Sequence, residues 1–414
     1  MVQRRGDRPC FSYFAGSLID TRVPVAVVFR DEYGALAIAR TLGRLGVSVY
    51  FVAQAKASHP AGSSRYWTDK LRWDFLARPE PESLMFLREV GATVTKKHGT
   101  RPILVTASDW FGVFIERHSE ALSEYFRFPR PSRPVVAKLL NKWEMYALAT
   151  DHDIPTPVTA RPTSGADIDD FVVKTGFPVV VKRADPYLPD PPAKAIIRSR
   201  SELKEALRHE MNHDSWNFVL QEYIPGGVDS VWMCNGYFGR RAGHGVVFTG
   251  KKLRQVSSTG VASLAVCAAN ETVASQTYRF MTEVGYRGCV GIGYRHDVRD
   301  DTYKVLDVNA RISSVFRLFA GANDLDVVRL CYLDLSGQPM GATAAQEGRK
   351  WLLEKDIKAV LPSRRGERVS AREWLKSLQG VEELHWFARD DVRPFGAWLS
   401  HEISRKVSGL GGHR

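Results

Sequence analysis

A length of 414 residues with 44% hydrophobic and 25% charged content excludes a chain built on one small core and suits two or three globular domains. No apolar run approaches the roughly 20 residues a membrane-crossing helix needs, and Met1 to Asp20 lacks the apolar stretch of a secretory signal, so a cytoplasmic protein is expected. The net charge of +12 is spread along the chain and by itself selects neither nucleic acid nor a membrane surface, while five scattered cysteines without a CxxC pair argue against a disulfide framework and a structural zinc site.

The valine-rich run Val25 to Phe29, the helical spacing of Ala35 to Leu45 and the second apolar run Val47 to Val52 make a β-α-β unit around a turn at Arg30 to Gly34. A dinucleotide site is rejected, because the turn holds one glycine, Gly34, and Gln54 rather than an acid ends the second strand. A further strand, Ile103 to Thr106, ends at Ser108-Asp109, so residues 1–133 read as a parallel α/β domain. The proline-rich stretch Pro129 to Pro134 marks its boundary, with Ser132 placed to cap a helix that starts near Pro134 and runs through Leu148.

After the extended linker Ile154 to Pro157 the order is helix (Asp167 to Thr175), strand (Pro178 to Lys182), a Pro- and Asp-rich loop, helix (Ser201 to His209) and strand (Phe218 to Tyr223). This α+β lobe occupies residues 134–228 with its leading helix. The next lobe, residues 229–340, is strand-rich: Ser230 to Tyr237, Gly245 to Thr249, then a small-residue loop at Ser257 to Gly260. A helix from Glu271 to Val284 leads to strands Cys289 to His296 and Tyr303 to Asn309, joined by a turn at Asp297 to Asp301, and a helix near Asp324 to Leu335 closes the lobe. Residues 341–414 form an appendage without readable chemistry, expected to fray from Gly409 onward. The fold class is therefore mixed α/β and α+β over several domains.

Three segments could carry chemistry. Lys182 ends the buried run Val179-Val180-Val181, where a charge is costly without an anionic partner such as phosphate, unless the side chain simply reaches solvent. The stretch Gln221-Glu222-Tyr223-Ile224-Pro225-Gly226-Gly227-Val228-Asp229 runs from a strand into a turn and ends in an acid. Such a hinge can offer backbone groups to a purine edge and a carboxylate to ribose, although many hairpins share the pattern. In Leu306-Asp307-Val308-Asn309-Ala310-Arg311, strand alternation projects Asp307, Asn309 and Arg311 together. Two oxygen donors beside a guanidinium suit a phosphate-bridging magnesium and a carboxylate, and a solvated polar strand face would read the same way.

In this order and spacing, the three segments resemble the ATP-grasp superfamily over roughly residues 25 to 335, in particular its carboxylate-amine ligases of the D-aspartate ligase and carbamoyl phosphate synthase kind. The resemblance implies a pre-ATP-grasp α/β domain, a small ATP-binding lobe and a larger C-terminal lobe. It implies that Lys142 and Lys182 bind ATP phosphates, that Gln221, Glu222, Tyr223 and Ile224 hold adenine, and that Asp229 binds ribose. Asp307 and Asn309 would ligate Mg2+. Lys251, Lys252 and Arg254, followed by Ser257 to Gly260, are similar to the family's cationic strand and small-residue loop near the γ-phosphate, and Arg311 would hold the substrate carboxylate.

One departure stands out, since Gly291 occupies the position aligned to a usual acidic metal ligand. Asp297, six residues on and about 20 Å along an extended strand, is too far to replace it unless the hairpin bends. The implied activity is ATP-dependent ligation of a small carboxylate to an amine through an acyl phosphate, with no membrane or nucleic-acid partner and with a homo-oligomer left open. A nucleotide-binding pseudoenzyme with a regulatory role is the competing reading, favoured by Gly291. Nucleic-acid binding rests on charge alone and would bring strong salt dependence.

Overall fold

The computed structural model describes residues 11–14, 17–30, 34–55, 60–185, 194–208, 216–241, 243–255, 261–360 and 369–410. Ser257 to Gly260, most of the Arg30 to Gly34 turn, the Pro- and Asp-rich loop at 186–193, His209 and Cys10 lie outside the described residues. The terminal helix continues to Leu410, and the rest of the tail expected to fray, 411–414, also lies outside them.

The N-terminal part opens with a two-stranded ribbon, β1 (Phe11–Phe14) and β2 (Ser17–Asp20). A four-stranded parallel sheet then forms from β3 (Val25–Phe29), β4 (Val49–Gln54), β5 (Trp67–Trp73) and β6 (Ile103–Thr106), in the order β5-β4-β3-β6. Every residue of β3 and β4 is buried, as a parallel sheet covered on both faces requires. Alternation divides them: Val25, Val27 and Phe29 enter one core while Ala26 and Val28 enter another. The helix Glu80–His98 and the strand β5 had no counterpart in the sequence reading.

The single helix expected from Pro134 is two helices, Val136–Leu140 and Lys142–Asp151, separated by Asn141 in an extended conformation. Asn141 caps the second through its side chain, which accepts from the Glu144 N–H at 3.1 Å. Ser132 does not cap the first. Its leading N–H groups, from Val135, Val136 and Ala137, donate to the Glu116 carboxylate at 2.7, 2.7 and 3.0 Å.

The small lobe is a four-stranded sheet of β7 (Thr159–Ala160), β8 (Val179–Arg183), β9 (Ala195–Ile197) and β10 (Phe218–Glu222), in the order β7-β10-β8-β9. Val179, Val181, Phe218 and Leu220 pack on its helices, which leaves Lys182 and Gln221 on the opposite face.

The large lobe carries β11 (Val231–Phe238), β12 (Gly245–Gln255), β13 (Ala262–Cys267), β14 (Gly288–Asp297) and β15 (Thr302–Asn309). The appendage contributes β16 (Lys350–Leu352) and β17 (Val381–Leu384), which complete a seven-stranded sheet in the order β15-β14-β11-β12-β13-β16-β17. On one face Trp232, Cys234, Ile292, Tyr294 and Val308 pack with the helices Lys142–Asp151 and Glu271–Glu283. The other face shares a continuous core with the N-terminal sheet, joining Met233, Tyr237 and Phe248 to Val27, Phe51 and Ile103. The proline-rich junction is thus a covalent boundary across which packing continues. The appendage also grips the N-terminal part through a buried ion pair, Arg40 to Asp391 at 3.0 Å, with both side chains almost fully covered.

Candidate active site

The cleft face of the small lobe meets the end of the β14–β15 hairpin. Lys182, buried at 7% exposure, donates to the Tyr146 hydroxyl at 3.0 Å and to the Leu306 carbonyl at 3.1 Å. Burial is the main force on its ammonium; the Asp307 carboxylate opposes it, nearby Lys142 adds to it, and the group falls from 10.5 to about 7. Lys142, at the start of its helix, donates its backbone N–H to Ala184 at 2.7 Å and pairs through Nζ with Asp307. Burial also disfavours this ammonium, but Asp307 outweighs it and holds Lys142 above its ordinary value. Asp307 answers in kind: burial would raise it, yet Lys142, with Lys182 and Lys194 behind, brings it down to about 2.

Two further lysines lie within electrostatic reach of the same carboxylate. Lys252 on β12 is lowered to about 8, by burial first and then by Lys194. Lys194, just before β9, is lowered to about 8 by burial and then by Lys182. Desolvated lysines grouped near one carboxylate leave more cationic groups than counter-charge, suited to a ligand bringing several negative charges.

At the hinge, Gln221 is buried and donates to Thr159 Oγ1 at 3.1 Å. Glu222 exchanges backbone bonds with the linker, its N–H donating to Val158 O at 2.8 Å, while its carboxylate accepts from the Val158 N–H at 2.8 Å and pairs with Arg299. Ile224 is buried and Asp229 exposed. Across the cleft Arg295 lies over the Tyr223 ring at 5.8 Å and donates to the Gly226 carbonyl, and its buried Nε has no partner among the described residues. Burial lowers its pKa, and Asp229 lies near enough to act against that.

At the far end of the hairpin, Arg311 pairs with Asp109 at 2.7 Å and donates to Asn309 Oδ1 at 3.3 Å. Asn309 Nδ2 reaches the Gly291 carbonyl at 3.4 Å. Asp307 and Asn309 share a strand face, and among the described residues no group of three or more His, Cys, Asp or Glu is arranged to hold a metal. One carboxylate and one amide oxygen fit a magnesium ion that arrives on a triphosphate, since such an ion keeps phosphate oxygens and waters in its shell.

No family model matches the chain. D-aspartate ligase of Enterococcus faecium (strain Aus0004) is 24% identical over 270 residues, which cover 60% of this chain and 64% of that protein, so the match spans less than two thirds of the relative. The crystal structure of an L-amino acid ligase from Bacillus licheniformis superposes with a TM-score of 0.60 and 17% identity, over 80% of this chain and 79% of that one. A carboxyaminoimidazole ribonucleotide synthase from Aspergillus clavatus, complexed with ATP, gives 0.60 and 12% identity, over 80% and 81%. The chain has the ATP-grasp fold.

The structure brings Lys142, Lys182, Lys252, Asp307 and Asn309 to one region, with Gln221 to Ile224 on the hinge beside them and Arg311 at the far end. Lys251 does not join them. It projects to the opposite face of β12, where its ammonium lies 4.7 Å over the Trp232 ring, because adjacent strand residues point to opposite sides. Arg254 is also diverted, donating to Asp356 at 2.6 Å and to Ser377 at 2.8 Å, so it anchors the appendage. The register moves the open position by two residues. Gly291 faces Asn309, where a Cβ would come within 3.1 Å of Ser313 Cβ, whereas Gly293 lies opposite Asp307 with its nearest neighbour 3.9 Å away. Asp297 is fully buried and held by Arg299 and Lys304, and it cannot serve as a replacement ligand.

Sequence reasoning missed Tyr146, Lys194, Arg295 and Asp109. Two carried a signal: Tyr146 lies one helical turn after Lys142, and Arg295 follows Gly291 and Gly293 at strand period on the Asp307 face. Lys194 and Asp109 carried none, since each reaches the cleft through tertiary packing alone.

Proposed function

We propose that this protein is an ATP- and magnesium-dependent ligase that joins a small-molecule carboxylate to an amine. The observation carrying the reading is the pairing of Lys142 with Asp307 beside the buried Lys182, with Lys194 and Lys252 within electrostatic reach, between the 221–229 hinge and Asn309. The similarity to D-aspartate ligase and to the fold of the L-amino acid ligase supports the same reaction class.

In this reading adenine lies against residues 221–224 with Arg295 beneath it, and Asp229 accepts from the ribose hydroxyls. Lys142 and Lys182 contact the phosphates, and Lys252 meets the γ-phosphate end. Asp307 and Asn309 would hold magnesium, which when bound neutralises charge on the phosphate oxygens. A substrate carboxylate oxygen attacks the γ-phosphorus and ADP leaves, giving an acyl phosphate. The amine nitrogen then attacks the acyl carbon, phosphate departs and the amine loses a proton, giving the amide. Such transfer depends on positioning and charge compensation, which the lysines supply, and needs no side-chain nucleophile.

The test is ADP release with pooled amino acids and other carboxylates, with and without magnesium, beside thermal stabilisation by ATP alone. Magnesium-dependent release stimulated by a carboxylate and amine mixture is expected. Stabilisation by ATP without release under any mixture would overturn the ligase reading and leave a nucleotide-binding protein.

A further inference from the structure

A cavity of about 350 Å³ lies beside Arg311, between the edge strand β6, the proline-rich junction and the start of β14. We propose that it receives an apolar side chain or body of the carboxylate substrate, with Arg311 at its boundary engaging the carboxylate. The proposal rests on the ligase reading above and names its substrate class.

Position along the hairpin supports it. The register of β14 and β15 sets out the nucleotide contacts in sequence: Arg295 at the hinge, Asp307 opposite Gly293, then Asn309 opposite Gly291. The cavity begins where this row ends, being lined by Gly288, Cys289, Ala310, Arg311 and Ile312. A nucleotide running from the hinge toward Asn309 would therefore bring its terminal phosphate toward the cavity. Arg311 belongs to both regions. It donates to Asp109 through two nitrogens, to the Ile312 carbonyl and to Asn309, which uses four of its five N–H groups and leaves one to a carboxylate.

The lining decides the class of the occupant. Leu104, Ile115, Phe128, Val136, Ile312 and Cys331 form an apolar wall, beside Arg130, Arg133 and Arg287. Its charged groups other than Arg311 are already engaged: Glu116 accepts from the helix N–H groups of Val135 and Val136 at 2.7 Å each, Glu120 pairs with Arg130, and Arg133 and Arg287 donate to the Glu283 and Tyr286 carbonyls at 3.4 and 2.9 Å. A volume of this size suits an amino acid or a similarly sized aliphatic or aromatic acid, and burial of its apolar part is the main favourable contribution.

The full chain, loaded with magnesium and a non-hydrolysable ATP analogue, is titrated calorimetrically with L-leucine, 3-phenylpropionate and L-aspartate. Leucine or phenylpropionate should bind at least about tenfold more tightly than aspartate. Ile115→Trp, which fills the cavity from the helix side, should weaken the apolar ligand by about tenfold or more while leaving nucleotide affinity unchanged. Cys331→Phe fills it from another wall and provides the same comparison if the first variant does not fold. Tighter binding of aspartate, no binding of either apolar acid to nucleotide-loaded protein, or unchanged binding in the filled variants would overturn the proposal. Failure of the ligase reading would appear separately, as nucleotide that does not bind or binds without turnover.

Discussion

Replacing Lys182 with methionine removes a buried ammonium while keeping most of its volume. In the ligand-free protein this ammonium sits near pH 7 rather than 10.5, a difference worth on the order of 4 to 5 kcal/mol of disfavoured charge. Between those values the unfolded chain binds more protons than the folded one, so stability rises with pH from about 7 to about 10.5 in the wild type. The methionine variant should lose that dependence and be more stable at pH 7, because Tyr146 keeps its own 2.7 Å bond to Leu306 O and nothing is orphaned. Nucleotide binding should move the other way. A triphosphate supplies the missing counter-charge, so wild-type binding at pH 8 should take up nearly one proton at Lys182, and affinity should fall as pH rises above about 7. Loss of a charge-assisted phosphate contact costs about 1.5 to 3 kcal/mol, or roughly 10- to 150-fold in affinity. Calorimetry in buffers of different ionisation enthalpy reads affinity and proton uptake together, and thermal melts read stability. A Lys182→Met protein with wild-type affinity and undiminished proton uptake would refute this account of the cleft.

Asp307→Asn should abolish magnesium-dependent turnover while the protein still melts cooperatively; normal activity would remove Asp307 from the site. Lys251→Ala should leave nucleotide affinity within about twofold of wild type, since that ammonium faces Trp232, and a large loss in a binding titration would reverse the assignment of faces. Arg254→Met should lower stability by about 3 to 5 kcal/mol, because Asp356, wholly buried, loses its cationic partner and keeps the Trp374 N–H at 2.9 Å. Urea melts should show part of that loss recovered in the double variant with Asp356→Asn. Gly291→Ala should destabilise the hairpin through Ser313, whereas Gly293→Ala should be tolerated, and equal melting temperatures for the two would show that the register argument fails.

Hydrophobic patterning was enough to find strands at Val25 to Phe29, Pro178 to Lys182 and Tyr303 to Asn309, within a residue of the observed Val25–Phe29, Val179–Arg183 and Thr302–Asn309, because each buries one or both faces and so writes its geometry into neighbouring residues. The same local logic grouped Asp307 with Asn309 and marked Lys182 as a charge needing an anion. What a residue touches across the chain is not written locally. Lys251, Lys252 and Arg254 look alike in sequence, yet strand alternation sends Lys251 to the far face, leaves Lys252 in the cleft, and a bulged register delivers Arg254 to Asp356 in the appendage. The short strands β16 and β17 gave no legible pattern because their burial depends on an existing sheet edge. Sequence therefore determined the order of the elements and the kinds of groups available, while tertiary packing alone decided which lysines surround Asp307, that Asp109 meets Arg311, and that Gly293 is the open position opposite the carboxylate. The reason is physical: periodicity records the side a residue faces, whereas register and long-range packing set its neighbours.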